Sequence, residues 1–160
     1  MSVAFRRDGD EEHLEPKFEL PIPFGPNLVT GRGLAQIDAK VIALQALLPG
    51  LTDDDAIKAA RRDLRYWGTR KATAELMPKP DGASVAFGCT VSYRRNGQLR
   101  SITIVGDDEA DPAAGFIAFS APLCRAMMDA EAGDRVDFGG KVDAIEIVAI
   151  AVADDEIAAP

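Results

Sequence analysis

Three adjacent aspartates, Asp53, Asp54 and Asp55, are the residues of this chain best suited to chemistry. They follow Pro49-Gly50, a pair that breaks a helix, and they precede a segment with helical periodicity. Carboxylate oxygens are the ligands that Mg²⁺ prefers, and one or two of them suffice when substrate phosphates supply the rest. The same residues also suit the first turn of a helix, where carboxylates cap free N–H groups and complement the helix dipole. Both interpretations of the aspartates stay open at this point.

No other cluster in the sequence indicates catalysis or a resident cofactor. The two cysteines, Cys89 and Cys124, fall in an expected strand and an expected helix among apolar neighbours, and no Cys-x-x-Cys pair occurs. His13 is the only histidine and lies in a polar segment. A zinc site is therefore not expected. We predict that both cysteines are buried and that the chain is not an enzyme.

A basic stripe follows the aspartates. Lys58, Arg61, Arg62 and Arg65 recur at spacings of three and four, which places them on one face of a helix. Such a face is ordinarily exposed to solvent, but it also suits contact with RNA phosphates or with acidic protein walls. The whole chain has 18 Lys and Arg against 26 Asp and Glu, for a net charge of −8. A free-standing DNA-binding protein needs a broad basic face, so this composition argues against one.

Apolar residues at helical spacing predict two helices around the aspartates. The first set follows Thr30, the predicted N-cap, and consists of Leu34, Ile37, Val41, Leu44 and Leu48. The second set follows Thr52, predicted to cap its helix with Asp55 as the capping-box partner. This set consists of Ile57, Ala60, Leu64, Trp67, Lys71 and Ala74. Two seams of one period, joined by a short breaker, predict an antiparallel helical hairpin, a short coiled coil, over residues 27–77.

The rest of the chain has the pattern of strands. Alternating apolar residues from Val85 to Tyr93, a tight turn at Asn96-Gly97 and an apolar return to Val105 predict a β-hairpin. Short apolar runs later in the chain predict three more strands. Between them Ser120, as N-cap, and Pro122, in the first turn, predict one helix. The fold class is therefore α+β, with five strands and one helix in the second domain.

The predicted domain boundaries follow from these patterns. Residues 1–26 are acidic and then rich in proline, which predicts an irregular arm, either loosely ordered or extended over a neighbouring groove. Residues 78–83 form the predicted linker, residues 84–153 the second domain, and residues 154–160 a frayed tail.

The stretch from Val105 to Val136 resembles the C-terminal domain of the bacterial Gre transcript-cleavage factors. The matching residues are Val105-Gly106, Glu109-Ala110-Asp111, Ile117, Pro122-Leu123, Ala126-Met127-Met128 and Gly133-Asp134. Ala118 and Ala121 depart from the pattern, since the family usually has serine there. The resemblance implies an FK506-binding-protein-like fold, with an antiparallel five-stranded sheet and one helix.

The resemblance also implies a partner and a mechanism. Gre factors bind the core of bacterial RNA polymerase through the C-terminal domain and insert a helical hairpin into its secondary channel, close to the transcript RNA. The residues that match the region by which the family grips the channel mouth are Phe119, Ala121, Pro122 and Leu123. Carboxylates at the hairpin tip, here Asp53, Asp54 and Asp55, would help the polymerase hold a second Mg²⁺. The chain itself would need no cofactor of its own.

Two features of the hairpin depart from the family. Gly50, Leu51, Thr52 and Asp53 match the tip motif glycine-aspartate-leucine-serine-glutamate-asparagine, but the aspartate directly after the glycine is missing. The hairpin is also shorter than the family's coiled coil, as in the regulator-of-nucleoside-diphosphate-kinase branch. We therefore expect polymerase binding with weak or absent transcript cleavage.

A peptidyl-prolyl isomerase is the alternative function, because the implied fold is shared with one. That activity needs an apolar pocket with an aromatic floor, whereas residues 78–160 contain no tryptophan and a single tyrosine, Tyr93. No run approaches the roughly 20 apolar residues of a membrane span, and the N-terminus lacks the apolar run of a secretory signal. The sequence therefore predicts a cytoplasmic protein, and we expect it to be a monomer.

Overall fold

The structure is a computed structural model that describes residues 19–152. The chain forms two compact units. In the described part of the chain, one unit comprises residues 19–25 and 37–73, and the other comprises residues 26–36 and 74–152. The predicted tail, residues 154–160, and most of the predicted arm, residues 1–18 with His13, lie outside the described residues.

Two helices follow each other in the first half of the chain. α1 runs Gly31–Leu47 and α2 runs Asp54–Thr73, with a 3-10 turn at Leu48–Gly50 between them. α1 begins after the predicted cap, since the Thr30 hydroxyl accepts the N–H of Gly33 at 3.0 Å. At 1.5 Å per residue, its 17 residues extend about 26 Å.

The cap of α2 lies one residue later than predicted. The Asp53 carboxylate accepts the N–H of Ala56 at 2.9 Å, and the Asp53 carbonyl accepts the N–H of Ile57 at 2.9 Å. The prediction of Thr52 as the cap, with Asp55 as its capping-box partner, is therefore wrong. Asp53 directly precedes the first helical residue, so its side chain is the one that reaches the free N–H groups of the first turn.

Side-chain contacts connect α1 to α2. The buried apolar positions of the predicted seams are Ile37, Val41 and Ala60. The Lys71 ammonium lies 2.9 Å from the Asp38 carboxylate, and the Lys40 ammonium lies 5.8 Å from the centre of the Trp67 ring. Lys71, predicted within the seam, has a half-exposed side chain.

The chain segments before α1 and after α2 pair with each other. β1, Leu28–Val29, and β2, Glu75–Leu76, form a two-stranded parallel sheet. Backbone hydrogen bonds from Glu75 to Asn27 and from Met77 to Val29 measure 2.8 and 3.0 Å. The prediction assigned these segments to the helical hairpin of residues 27–77; the structure instead makes them a small sheet, grouped with the second unit.

The second unit is built on a five-stranded sheet with the order β5-β4-β3-β7-β6. Its strands are β3, Cys89–Arg95; β4, Gln98–Val105; β5, Phe116–Ala118; β6, Arg135–Phe138; and β7, Lys141–Val152. The predicted turn at Asn96-Gly97 joins β3 to β4, and both residues have positive φ angles of 52° and 74°. That conformation matches the twist of a tight hairpin, and Asn-Gly adopts it readily.

The sheet is mixed, and the expectation of an entirely antiparallel sheet is wrong. β3 pairs antiparallel with β4 and β7, and β6 pairs antiparallel with β7. β5, however, pairs parallel to β4, with Thr103 opposite Phe116. The reason is the connection between them, which includes a 3-10 turn at Pro112–Ala114 and returns the chain to Thr103 of β4 before β5 begins.

One face of this sheet forms the core together with the third helix, α3, Pro122–Met127. Fully buried side chains from the sheet and the helix include Cys89, Val91, Ile104, Cys124, Met127, Ile145 and Ile147. Both cysteines are buried, as predicted, and both are free. Burial raises the pKa of the Cys124 thiol to about 11.

Candidate functional site

The three aspartates are exposed at the start of α2. Asp53 caps the helix, and Asp54 and Asp55 are the acidic residues of its first turn. Within residues 19–152, no group of three or more His, Cys, Asp or Glu side chains is arranged to hold a metal ion. The helix-capping interpretation therefore has direct support, whereas a magnesium ion shared with another protein stays a prediction.

The basic stripe is divided between paired and unpaired side chains. Arg62 lies 2.9 Å from the carboxylate of Asp63, and Arg65 lies 2.5 Å from that of Glu19. Lys58 and Arg61 are exposed, and no ion pair involves them among the described residues. All four side chains belong to α2, as predicted, and within residues 19–152 Lys58 and Arg61 are the two that pair with no carboxylate.

The predicted docking surface consists of Phe119, Ala121, Pro122 and Leu123 and surrounds the start of α3. Pro122 occupies the first turn of the helix and is exposed. Phe119 packs edge to face on Phe87, with 5.6 Å between ring centres, and Leu123 packs against the core. Pro122 is therefore the member of this surface whose side chain is most available to a partner.

Ser120 does not cap α3, so that prediction is wrong. The N-cap is Ala121, whose side chain makes no capping hydrogen bond. The Ser120 hydroxyl instead donates to the Asp107 carboxylate at 2.6 Å. A serine beside the docking surface is thereby attached to the loop that follows β4.

That loop, residues 106–109, contains Gly106 and Glu109 of the Gre-like motif, and we call it the junction loop. Its Glu109 is almost entirely buried, with 3% of the side chain exposed. One carboxylate oxygen accepts the hydroxyl of Thr30 at 2.5 Å, and the other accepts the Arg32 guanidinium at 2.8 Å. The Arg32 guanidinium also lies over the Phe116 ring, 4.4 Å from its centre. Glu109 therefore holds the first turn of α1.

Two glycines make this close approach possible. A Cβ atom on Gly33 would lie 2.7 Å from the Glu109 carboxylate, and one on Gly106 would lie 2.3 Å from the backbone oxygen of Leu28. Real Cβ atoms do not approach other atoms so closely. The valine-glycine and glutamate of the motif thus pack against residues 28–33 of the same unit. The sequence showed the motif but not the partners of Glu109, because Arg32 and Thr30 lie 77 and 79 positions earlier in the chain.

An open cavity of about 660 Å³ lies next to these residues in the second unit. Its largely apolar wall includes Met77, Pro78, Phe87, Val105 and Phe116. Residues 78–160 contain no tryptophan and only one tyrosine, but two phenylalanines, Phe87 and Phe116, line this cavity. An apolar cavity alone specifies no reaction.

Comparisons with known proteins identify the second unit. Residues 79–152 match the family model "Transcription elongation factor, GreA/GreB, C-term". Residues 79–152 are thus similar to the C-terminal domain of the Gre-type elongation factors.

Individual Gre proteins agree with this assignment. The chain is 37% identical over 86 residues to transcription elongation factor GreA of Allorhizobium ampelinum, covering 51% of this chain and 54% of that protein. It is 42% identical over 81 residues to GreA of Desulfovibrio desulfuricans, covering 48% and 50%. The chain thus spans about half the length of the curated relatives it matches.

Comparison with solved structures is weaker than comparison with these sequences. GreA factor homolog 1 of Thermus thermophilus is 16% identical, with 79% of this chain and 99% of that chain covered, at a TM-score of 0.36. A score of that size supports no argument about this chain. Separately, none of the helices in residues 19–152 is long and apolar enough to cross a membrane.

Proposed function

We propose that this protein is a transcription elongation regulator that docks on the core of bacterial RNA polymerase at the secondary channel. The observation that carries the proposal is the GreA/GreB C-terminal domain over residues 79–152. It would act as a monomer in the cytoplasm, where the polymerase works, with no cofactor of its own.

The docking surface of Phe119, Ala121, Pro122 and Leu123 is the part of the domain proposed to grip the polymerase. Support comes from the exposure of Pro122 in the first turn of α3 and from the packing of Phe119 and Leu123 behind it. A rigid apolar projection backed by core residues loses little conformational entropy when it binds.

The two helices are proposed to enter the channel with α2 close to the transcript. Lys58 and Arg61 are exposed cations that suit phosphates or acidic channel walls. Asp53, Asp54 and Asp55 would face the polymerase's magnesium ions. Because Asp53 is engaged as a helix cap and α1 extends only about 26 Å, we expect weak or absent transcript cleavage. The protein would then act by occupying the channel.

The test of docking is a substitution at Pro122. Pro122→Asp should reduce retention on immobilised core RNA polymerase to background, because a charge would enter an apolar contact without a partner. The fold should survive, since an acidic residue suits the first turn of a helix. Retention equal to that of the wild-type chain would contradict the proposed surface.

Pro112→Asp is the matched control for this experiment. Pro112 is also exposed, also begins a helical turn and belongs to the same unit, but it lies outside the docking surface. Its retention should equal that of the wild-type chain. Loss of binding in both variants would indicate that added negative charge, rather than the docking surface, is responsible.

The isomerase alternative is tested in parallel, because the second unit does contain an apolar cavity lined by Phe87 and Phe116. Isomerisation of a proline-containing peptide should be no faster with the protein than without it. Acceleration that persists in Pro122→Asp would favour the isomerase.

A further inference from the structure

The junction loop, residues 106–109, makes contacts in two directions within the second unit. Asp107 accepts the hydroxyl of Ser120, which lies within the segment of the docking surface. Glu109, two residues later, accepts hydrogen bonds from Thr30 and Arg32 in the first turn of α1. One short loop thus connects the surface proposed to bind the polymerase with the start of the helix proposed to enter it.

We propose that the junction loop positions the first turn of α1 and that Glu109 is the main positioning residue in this loop. By holding Thr30 and Arg32, Glu109 fixes the place and the rotation of the first turn of α1 within the second unit. The inference rests on the proposed function, because a fixed start of α1 matters for activity only if the helices are delivered to the polymerase.

The chemistry of the contact explains why a carboxylate is needed. A buried carboxylate is unfavourable unless its oxygens are hydrogen-bonded, and here each oxygen has its own donor. An apolar side chain would fill the same space but would make no directional bond. Two bonds to residues two positions apart define both the place and the rotation of the first turn.

The surroundings of Glu109 restrict the first turn further. Gly106 lies against the Leu28 backbone, and Gly33 lies against the Glu109 carboxylate, each closer than a side chain would permit. β1 pairs with β2 beside them. Phe116, under the Arg32 guanidinium, belongs to β5, whose end leads through Phe119 into the docking surface. The contacts therefore form a continuous path between the two functional segments.

The test compares Glu109→Gln, Arg32→Gln and the control Glu131→Gln, all in the full chain. Glutamine keeps the volume of Glu109 and an oxygen for Thr30 but removes the charge that attracts Arg32. Glu131 is exposed on the same unit, so its substitution changes net charge equally without touching the junction loop. Circular dichroism first establishes that each variant is folded.

Three quantities are then measured for each chain. The first is hydrogen exchange of the backbone amides in residues 28–34 and 75–77. The second is retention on immobilised core RNA polymerase. The third is the change in transcript elongation in vitro, measured at protein concentrations that saturate the polymerase.

We expect Glu109→Gln to accelerate exchange in residues 28–34 about tenfold, the effect of losing one charge-assisted hydrogen bond from an opening equilibrium. Retention should stay within about twofold of wild type, because Glu109 is buried away from the docking surface. The effect on elongation should fall at least about threefold, because α1 is then held less firmly. Arg32→Gln should act in the same direction, the double variant should add little to Glu109→Gln, and Glu131→Gln should change nothing.

Unchanged exchange in Glu109→Gln would overturn the proposal, and so would faster exchange with a full effect on elongation. If the wild-type chain fails to bind the polymerase, the proposed function falls and the role in elongation falls with it. Exchange would in that case still report whether Glu109 holds the first turn of α1, so the two failures are distinguishable.

Discussion

The N-termini of α1 and α2 are capped in two different ways. Both helices begin with free N–H groups, and in both a side-chain oxygen accepts one of them: Thr30 for Gly33 and Asp53 for Ala56. At α2 the cap lies in an exposed turn that contains two further aspartates. At α1 the cap is itself held by Glu109, which lies 79 positions later and is buried.

The cap of α2 therefore depends on neighbouring residues, whereas the cap of α1 also depends on a residue distant in the sequence. The start of α2 is determined by neighbouring residues, so it can stabilise the helix wherever α2 lies. The start of α1 is tied to the junction loop and therefore to the Gre-type domain. We therefore expect substitutions at the start of α1 to lower the stability of the whole second unit. Substitutions at the start of α2 should lower only the stability of the two helices.

The largest effect is expected from Gly106→Ala. The added Cβ would meet the Leu28 backbone at 2.3 Å, and a backbone segment already paired with β2 has little room to move. We expect the free energy of unfolding of the second unit to fall by about 3 kcal/mol. Denaturant unfolding, followed by the near-ultraviolet signal, measures the change.

Gly31→Ala is the control for this prediction. Gly31 lies in the same segment, but a Cβ atom there would meet nothing within 4 Å. Alanine favours the helix, so this variant should be neutral or more stable by up to about 1 kcal/mol. Equal destabilisation at Gly31 and Gly106 would show that the segment is sensitive to any change, and the specific contact with Leu28 would lose its support.

A smaller effect on stability is expected at the start of α2. Asp53→Ala should reduce the stability of the helical part by about 1 kcal/mol, the usual cost of losing an N-cap. Asp54→Ala, one residue later, should lose only the interaction with the helix dipole, about 0.5 kcal/mol. Thermal unfolding followed at 222 nm compares the two, and equal losses would mean that Asp53 is not the cap.

The sequence predicted the features that depend on neighbours. Helical periodicity located both helices, Thr30 was identified as a cap, and Asn96-Gly97 marked the turn between β3 and β4. The α+β class follows from such local patterns. The cap of α2 was missed by one residue because Thr52 and three aspartates all offer acceptors, and only the backbone geometry selects Asp53.

Features that depend on distant partners could not be derived in the same way. The parallel pairing of β5 with β4 follows from the path of the intervening loop, which no alternation of residues encodes. β1 and β2 have two residues each, too few for a periodic signal. Glu109 was visible as part of a motif, but its role depends on Thr30 and Arg32, which nothing in its own neighbourhood indicates.

Competition with an active GreA protein tests the central claim most directly. A backtracked complex of core RNA polymerase with Mg²⁺ is given a GreA protein that stimulates cleavage, and the present chain is added in increasing amounts while the transcript 3′ end is followed. We predict that the chain causes no rapid cleavage alone and suppresses GreA-stimulated cleavage until none remains, whereas Pro122→Asp does not suppress it. Undiminished GreA-stimulated cleavage at high concentrations of the chain would contradict docking at the secondary channel. Rapid cleavage by the chain alone, lost in Asp53→Ala, would instead contradict channel occupancy as the mechanism.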